Sequence, residues 1–233
     1  MRLLVVASEP MEFPGILSRA REARRPGGKL PVDWARSARM ADHELLLVAN
    51  GAGCERACMA VDGALASFPP DALVSTGFCG ALAPEIGLAE LVVATEVVGE
   101  DGRYPASPVS SRLPHHCGVV RTVGHIVRTA EEKRGLRETG ASAVEMEAAA
   151  VARRAQARGL PFYCIKAVTD LANETLANDL NAALRSDGHF ETINILGSTL
   201  RQPLIRVPEL LRLRSRSIRA AHTLGDFFAD CRF

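Results

Sequence analysis

The stretch Ala-Leu-Val-Ser-Thr-Gly-Phe-Cys-Gly, at residues 72–80, joins a short apolar run directly to a turn that contains two glycines. Such a run is typical of a buried β-strand. Comparable runs recur along the chain and alternate with helix-like stretches, which is the pattern of a sheet covered by helices. The sequence therefore predicts an α/β fold.

The apolar pattern predicts the elements of one domain that spans residues 1–233. The predicted strands are residues 3–7, 45–49, 72–76, 91–95, 119–127 and 162–168. The predicted helices are residues 11–23, 55–68, 147–158, 181–200 (with a break near Asp187-Gly188) and a basic amphipathic C-terminal helix, 208–227. The Pro-, Gly- and Arg-rich residues 24–40 and the proline-rich residues 101–117 are predicted to be loops.

Composition excludes several classes of protein. The chain has 233 residues, of which 47% are hydrophobic, and its net charge of +1 gives no bulk attraction to nucleic acid. No stretch approaches the roughly 20 apolar residues of a membrane span. Six scattered cysteines without an export signal favour reduced thiols in a cytoplasmic protein. His115-His116-Cys117 is too weak a pattern to predict a metal, so neither a metal nor a cofactor is expected.

Chemically distinctive residues follow four of the predicted strands. They are Glu9 and Glu12 after the first strand, Asn50-Gly51 after the second, Gly77-Phe78-Cys79-Gly80 after the third and Thr169-Asp170 after the last. Ligands of α/β sheets bind at the carboxyl ends of strands, where the loops of several strands meet. We therefore expect three carboxylates and two glycine turns to share one cleft.

The residue types alone leave two interpretations of each acid open. Glu147 begins an alanine-rich helix, whose dipole favours an ionised carboxylate that accepts hydrogen bonds from a vicinal diol; the alternative is a surface cap. Burial behind a strand would raise the pKa of Asp170 toward that of a general acid; the alternative is a turn cap. Either Glu9 or Glu12 could activate water, and surface charge is the alternative for both.

Three segments in order carry a family resemblance: residues 77–84 (GFCGALAP), 144–150 (VEMEAAA) and 169–172 (TDLA). They resemble signatures of methylthioadenosine/S-adenosylhomocysteine nucleosidases and of hexameric-type purine nucleoside phosphorylases. The match spans roughly residues 1–172. This resemblance implies a three-layer α/β/α sandwich with a central mixed sheet, a homodimer or larger assembly, and cleavage of the N-glycosidic bond of a purine nucleoside, with adenine as the expected base.

The same resemblance implies roles for individual residues. Asp170 would protonate N7 of the departing purine, and Glu12 would activate water. Glu147 would hold the ribose hydroxyls, with Met146 packed beside the sugar. The backbone of Gly77, Phe78, Cys79 and Gly80 would lie next to the nucleophile. The base pocket is expected at Phe78 and residues 125–131.

Water is the expected nucleophile, and phosphate is the alternative. Ser75 and Phe78 stand where the phosphorylases carry an arginine and a serine, and Glu9-Pro10-Met11-Glu12 replaces their phosphate loop. Two acids would repel a phosphate. Arg103 or Arg128 could still reach the site, so phosphorolysis stays open, as does a catalytically inactive nucleoside-binding protein. A dinucleotide-dependent oxidoreductase is excluded, because no glycine-rich turn follows the first strand.

The C-terminal third departs from the small nucleosidases. Residues 201–219 carry six arginines against Glu209 alone, and apolar residues recur among them at helical spacing. Such a helix either lies on an anionic membrane surface or packs on the sheet with its arginines in water. This tail, together with residues 129–133 (TAEEK), resembles hopanoid-associated phosphorylase-like proteins. That resemblance implies an adenosyl-hopane lipid intermediate as the substrate.

Overall fold

The computed structural model describes residues 1–185, 187–189 and 203–233. Within these residues ten strands form one sheet. They are β1 (Arg2–Ala7), β2 (Arg21–Arg24), β3 (Trp34–Met40), β4 (His43–Ala49), β5 (Ala72–Ala81), β6 (Leu91–Val98), β7 (Arg103–Pro105), β8 (His116–Thr122), β9 (Ala141–Glu145) and β10 (Phe162–Asp170). Their order is β10-β6-β8-β9-β5-β1-β4-β3-β2, with β7 beside β6.

The sheet is mixed and closes partly on itself. β1 runs parallel to β4 and β5, whereas β10 runs antiparallel to β6. β10 also pairs in parallel with β5, and β9 joins β5 to β8, so that β5, β9, β8, β6 and β10 form a ring. The carboxyl ends of β1, β5 and β10 therefore lie at one edge of the sheet.

Helices cover both faces of the sheet. In the described parts of the chain they are α1 (Pro14–Arg19), α2 (Cys54–Leu65), α3 (Ala130–Arg137), α4 (Ala148–Gln156) and α5 (Pro203–Asp230). Side chains alternate along β1: Leu4 and Val6 join the core under α2 and α4, and Leu3 and Val5 join the core under α1 and α5. These two cores separate three layers, which confirms the predicted α/β/α sandwich with a central mixed sheet.

The first predicted helix, residues 11–23, is confirmed only over Pro14–Arg19. A 3-10 turn at Pro10–Glu12 is followed by α1 at Pro14–Arg19, and β2 begins at once after it. Proline fits the first turn of a helix but removes an N–H from a helix interior, so Pro14 starts a new helix instead of continuing the old one.

Strand pairing corrects three further predictions. The predicted loop 24–40 contains β3, which pairs antiparallel with β4. The predicted strand 72–76 continues as β5 to Ala81, because its end pairs with β10 and β9. The predicted strand 119–127 begins earlier and ends at Thr122 as β8. In each case the strand that pairs with the segment, and so fixes its bounds, is distant in sequence or follows a turn that composition does not reveal.

The C-terminal helices also differ from their predicted bounds. Of the predicted helix 181–200, Asn181–Ala183 forms a single 3-10 turn, and residues 186 and 190–200 lie outside the described residues. The predicted helix 208–227 is longer at both ends, as α5. The helix α3 and the short strands β7 and β9 were not predicted, because their sequences lack a sufficiently long apolar pattern.

Candidate active site

A cavity of about 290 Å³ opens at the edge of the sheet where β1, β5, β9 and β10 end. Five carboxyl groups line it: Glu9, Glu12, Glu145, Glu147 and Asp170. Of the predicted site residues, the structure places Glu12, Phe78, Cys79, Gly80, Met146, Glu147 and Asp170 on the cavity wall. Gly77 lies behind the wall against Glu12. The predicted residues are therefore brought together at one place.

Glu12 is held through both of its carboxylate oxygens. Oε1 accepts the backbone N–H of Phe78 at 2.8 Å. Oε2 accepts the Ser8 hydroxyl at 2.9 Å and the backbone N–H of Glu9 at 2.8 Å. The residue is only 4% exposed. A carboxylate fixed in this way can accept a proton from a water molecule held in the cavity.

Glu9 faces a different neighbour. Its Oε1 lies 3.2 Å from Nδ1 of His189, whose other ring nitrogen lies 2.9 Å from Asp33. Burial raises the pKa of Glu9, against the opposing effect of His189. Because Glu9 is engaged with His189, the structure favours Glu12 as the acid that is oriented to activate water.

Glu147 lies at the N-terminus of α4, deep in the cavity wall. Its Oε1 accepts the backbone N–H of Gly53 at 2.9 Å. Burial and the nearby Glu145 raise the pKa of Glu147 to about 8. This raised pKa favours a protonated Glu147 at neutral pH, whereas the sequence predicts an ionised carboxylate at the helix N-terminus.

Glu145 supports Glu147 from behind. It forms a buried ion pair with Lys166 at 2.9 Å, in which each side chain is 1% exposed. Its oxygens also accept the backbone N–H groups of Glu147 and Ala148, at 3.0 and 2.9 Å, and the Thr122 hydroxyl. Glu145 therefore caps α4 and fixes where Glu147 begins. The sequence contains a sign of this ion pair, because Lys166 interrupts an otherwise apolar strand sequence.

Asp170 ends β10 and reaches the cavity beside β5. Its Oδ1 accepts the Thr169 hydroxyl at 3.2 Å, and its Oδ2 accepts Nζ of Lys133 at 2.5 Å. Burial raises the pKa of Asp170, while Lys133 and Thr169 act in the opposite direction. Gly80 makes room for this carboxyl, because a Cβ there would lie 2.8 Å from Oδ2. Lys133 was not predicted from the sequence.

Part of the cavity wall is apolar. Phe78, Ile126 and Val127 line this part, together with Leu176, Leu180 and Leu213. Of the predicted base pocket, His125 also lines the cavity, whereas residues 128–131 do not. The Asn181 side chain holds this segment by bonding the backbone N–H and C=O of Ile126, each at 2.8 Å. The last three leucines were missed because they come from the segment after β10 and from α5, where sequence spacing gives no sign of a shared cavity.

No arginine or lysine of the described residues lines this cavity. Arg103 pairs with Glu96 on β6, and Arg128 pairs with Asp179 at 2.8 Å. The two arginines that could have reached the site are therefore engaged elsewhere. The described part of the chain also has no cluster of three potential metal-ligating side chains.

Sequence comparisons agree on one family. A model of the phosphorylase superfamily matches residues 2–112 and 109–192. A 5′-methylthioadenosine/S-adenosylhomocysteine nucleosidase of Anoxybacillus flavithermus is 28% identical over 160 residues, which cover 56% of this chain and 69% of that protein. A nucleosidase of the same name from Staphylococcus aureus is 24% identical over 161 residues, 57% of this chain and 71% of that protein.

Solved structures share the fold over nearly the whole chain. The S. pneumoniae 5′-methylthioadenosine/S-adenosylhomocysteine nucleosidase superposes with a TM-score of 0.72 at 21% identity and covers 99% of both chains. The futalosine hydrolase of Helicobacter pylori gives a TM-score of 0.68 at 17% identity, covering 97% of this chain and 95% of that one.

The fold and these relatives together define an enzyme of the nucleosidase and nucleoside phosphorylase class, which cleaves N-glycosidic bonds. The chain belongs to the phosphorylase superfamily. The family resemblance of residues 77–84, 144–150 and 169–172 is thereby confirmed.

Proposed function

We propose that this protein is a hydrolase that releases adenine from an adenine nucleoside, with water as the nucleophile. One observation carries the proposal: five carboxyl groups and no arginine or lysine among the described residues line the cavity. A phosphorylase must hold an anionic nucleophile, which requires cations or free backbone N–H groups. The N–H of Phe78, at the turn that would supply such a donor, is already bonded to Glu12.

The residues divide the reaction among them. Asp170 protonates N7 of the base, which stacks against Phe78 and the apolar wall. Glu147 binds the ribose hydroxyls, with Met146 beside the sugar. Glu12 takes a proton from the attacking water. An acid above the leaving group and a base on the other side of the sugar are what a cation-like ribosyl transition state requires.

Adenine release with and without phosphate tests this proposal. Purified protein is incubated with adenosine and with methylthioadenosine, and the sugar product is identified. We expect release without phosphate and a free sugar, with a loss of about 100-fold or more in Asp170→Asn and in Glu12→Gln. Release that requires phosphate and yields a sugar 1-phosphate would establish a phosphorylase. Binding without release would establish a nucleoside-binding protein.

A second observation favours a lipid-linked nucleoside, such as the adenosyl-hopane that the sequence resemblance implies. The helix α5 exposes an apolar strip, Leu204, Leu211 and Ile218, whose residues are 91%, 62% and 50% exposed. Their seven-residue spacing places them on one face of the helix. Leu213 and Ser217 of the same helix line the cavity. At about 100° per residue these two lie on the opposite side of the helix from the strip, so a tail that leaves the cavity would have to pass around α5 to reach the strip.

Charge complementarity favours an anionic membrane surface as the partner of this strip. Arg212 and Arg219 lie on one side of it and Arg214 on the other, and all three are exposed. A second copy docked on the strip would bring arginines against arginines, whereas anionic lipids would neutralise them. None of the described helices is both long and apolar enough to cross a bilayer, so we propose contact with the surface alone.

Vesicle sedimentation tests the membrane contact. We expect binding to vesicles that contain phosphatidylserine, weaker binding at high salt and to phosphatidylcholine alone, and loss of binding in Leu211→Asp. Met59→Asp is the matched control, because Met59 is an exposed apolar residue of α2 outside the strip. Equal sedimentation of the wild type and Leu211→Asp would refute the contact. Dissociation of a dimer by Leu211→Asp in the absence of vesicles would assign the strip to a second copy.

The remaining expectations are part of the same proposal. We propose a single domain over residues 1–233, a homodimer and a cytoplasmic location. Light scattering behind a gel-filtration column tests the dimer. No nucleic-acid partner, metal or cofactor is part of the proposed reaction.

A further inference from the structure

Lys133 is a lysine buried where a helix would normally bury an apolar side chain. It is the one buried residue of α3, with 0% exposure, while Glu131, Arg134 and Arg137 of the same helix are exposed. Its Nζ donates to Oδ2 of Asp170 at 2.5 Å and to the backbone carbonyl of Leu171 at 2.7 Å. A buried ammonium group is stable only beside an opposite charge, and here that charge is the carboxylate of Asp170.

We propose that Lys133 and Asp170 act as one acid, in which Lys133 supplies through Asp170 the proton that the departing purine needs. This inference rests on the proposed function, because it concerns the leaving group of that reaction. Lys133 does not line the cavity and so acts only through Asp170. It is a positioning residue that also carries the proton that Asp170 transfers.

The proton balance of the proposed step closes. When the bond from C1′ to N9 breaks, its electron pair stays on adenine, and N7 takes the proton of the Asp170 carboxyl. That proton comes from Nζ of Lys133, which passes it to the Asp170 carboxylate before it goes on to N7, so the pair ends as a carboxylate beside a neutral amine. Water adds to C1′ and gives one proton to Glu12. Exchange with solvent then releases that proton from Glu12 and returns one to Lys133, so the net reaction is hydrolysis.

The other groups around the pair do not supply this proton. Glu174, in the segment after β10, accepts both hydrogen bonds from Arg216 of α5, and this pairing and its backbone bond hold its pKa below the usual range. Cys79 of β5 is buried, and this burial raises the pKa of its thiol. Thr169 donates its hydroxyl hydrogen to Asp170. Lys133 is therefore the proton source in contact with the carboxyl.

The proposal makes a prediction about pH that a simple ion pair does not make. A lone buried carboxyl delivers a proton only below its own pKa, whereas a lysine–carboxyl pair keeps one proton to deliver well above neutrality. Lys133→Met should therefore lose activity at alkaline pH earlier than the wild type. If Lys133 only stabilised ionised Asp170, its removal would raise the pKa of Asp170 and shift the alkaline loss upward.

The experiment compares two leaving groups over a pH series. We expect Lys133→Met to lose about 100-fold in adenine release at neutral pH and above, yet to cleave p-nitrophenyl riboside within about threefold of the wild type, because nitrophenolate leaves without a proton. Lys133→Arg keeps a charge but has no proton to give, so it should follow Lys133→Met. Lys29→Met, at an exposed lysine, is the matched control.

Each other result overturns the proposal. Equal losses on both leaving groups would show that Lys133 is structural, and thermal melting of each variant separates this from unfolding. Wild-type behaviour of Lys133→Arg, or an alkaline loss that moves upward in Lys133→Met, would reduce Lys133 to an electrostatic role. Failure of the wild type to release adenine would instead contradict the proposed function, and the two failures are thereby distinguished.

Discussion

A Cβ placed on Gly77 would lie 2.2 Å from Oε1 of Glu12. Gly77 has a φ of +115°, which L side chains rarely adopt, and the next N–H along the chain donates to that same oxygen. The glycine therefore serves two purposes at once. It allows the backbone to present the N–H of Phe78, and it leaves the space that the carboxylate fills.

Gly77→Ala is expected to displace Glu12 and to reduce adenine release by about 100-fold or more, because the added methyl group and the strained φ both act against the observed geometry. We expect a loss of unfolding free energy of about 1–3 kcal/mol as well. Steady-state kinetics and urea unfolding measure the two effects. Gly135→Ala is the control: a Cβ there meets no atom within 4 Å, so activity should be unchanged. Unchanged activity in Gly77→Ala would contradict the role of Glu12.

Gly80→Ala is expected to displace the carboxyl group of Asp170. The new Cβ would lie 2.8 Å from Oδ2 of Asp170, the oxygen that Lys133 contacts. Adenine release should therefore fall by about 10-fold or more, while cleavage of p-nitrophenyl riboside should fall much less. Measuring both substrates on the same preparation gives the ratio. An equal fall in both rates would mean that the substitution disturbs the cavity as a whole and not the acid.

Lys166→Met is expected to destabilise the protein by about 3–5 kcal/mol, because it leaves the charge of Glu145 buried without an opposite charge. The double variant Lys166→Met/Glu145→Gln should regain part of that loss, since no unpaired charge remains. A double-mutant cycle by urea unfolding measures the coupling. Additive losses would show that the pair contributes no coupling energy.

Several features of the site could be predicted from the sequence because they depend on short motifs. Glu147 lies in the motif at residues 144–150, and Asp170 lies in the motif at residues 169–172. The order of these motifs along the chain predicts that both acids lie at strand ends. Lys166 could have been predicted to have a buried acid as its partner, since a lysine within an apolar strand requires one. These inferences need no knowledge of the sheet order.

Other features depend on contacts between distant segments and could not be predicted. Nothing in the charged sequence of α3 distinguishes Lys133 from its exposed neighbours, because its burial results from the way α3 packs at the end of β10. The ring of strands depends on β9, a five-residue strand whose partners are remote. The raised pKa of Glu147 results from its burial and from the nearby Glu145, and the sequence shows neither effect.

Glu147 should make the stability of the protein depend on pH. Its pKa is raised from 4.5 to about 8 by burial and by Glu145, so between these values the folded state binds more protons than the unfolded state. Stability from this group is fully present below about pH 4.5 and is lost as the pH rises toward about 8, by an amount on the order of a few kcal/mol. Glu147→Gln should remove that slope. Urea unfolding from about pH 5 to about pH 8 measures it, with Glu131→Gln, at an exposed position of α3, as the control. If Glu147→Gln and the wild type lose stability in parallel across this range, Glu147 is already ionised at neutral pH, and the helix dipole outweighs burial after all.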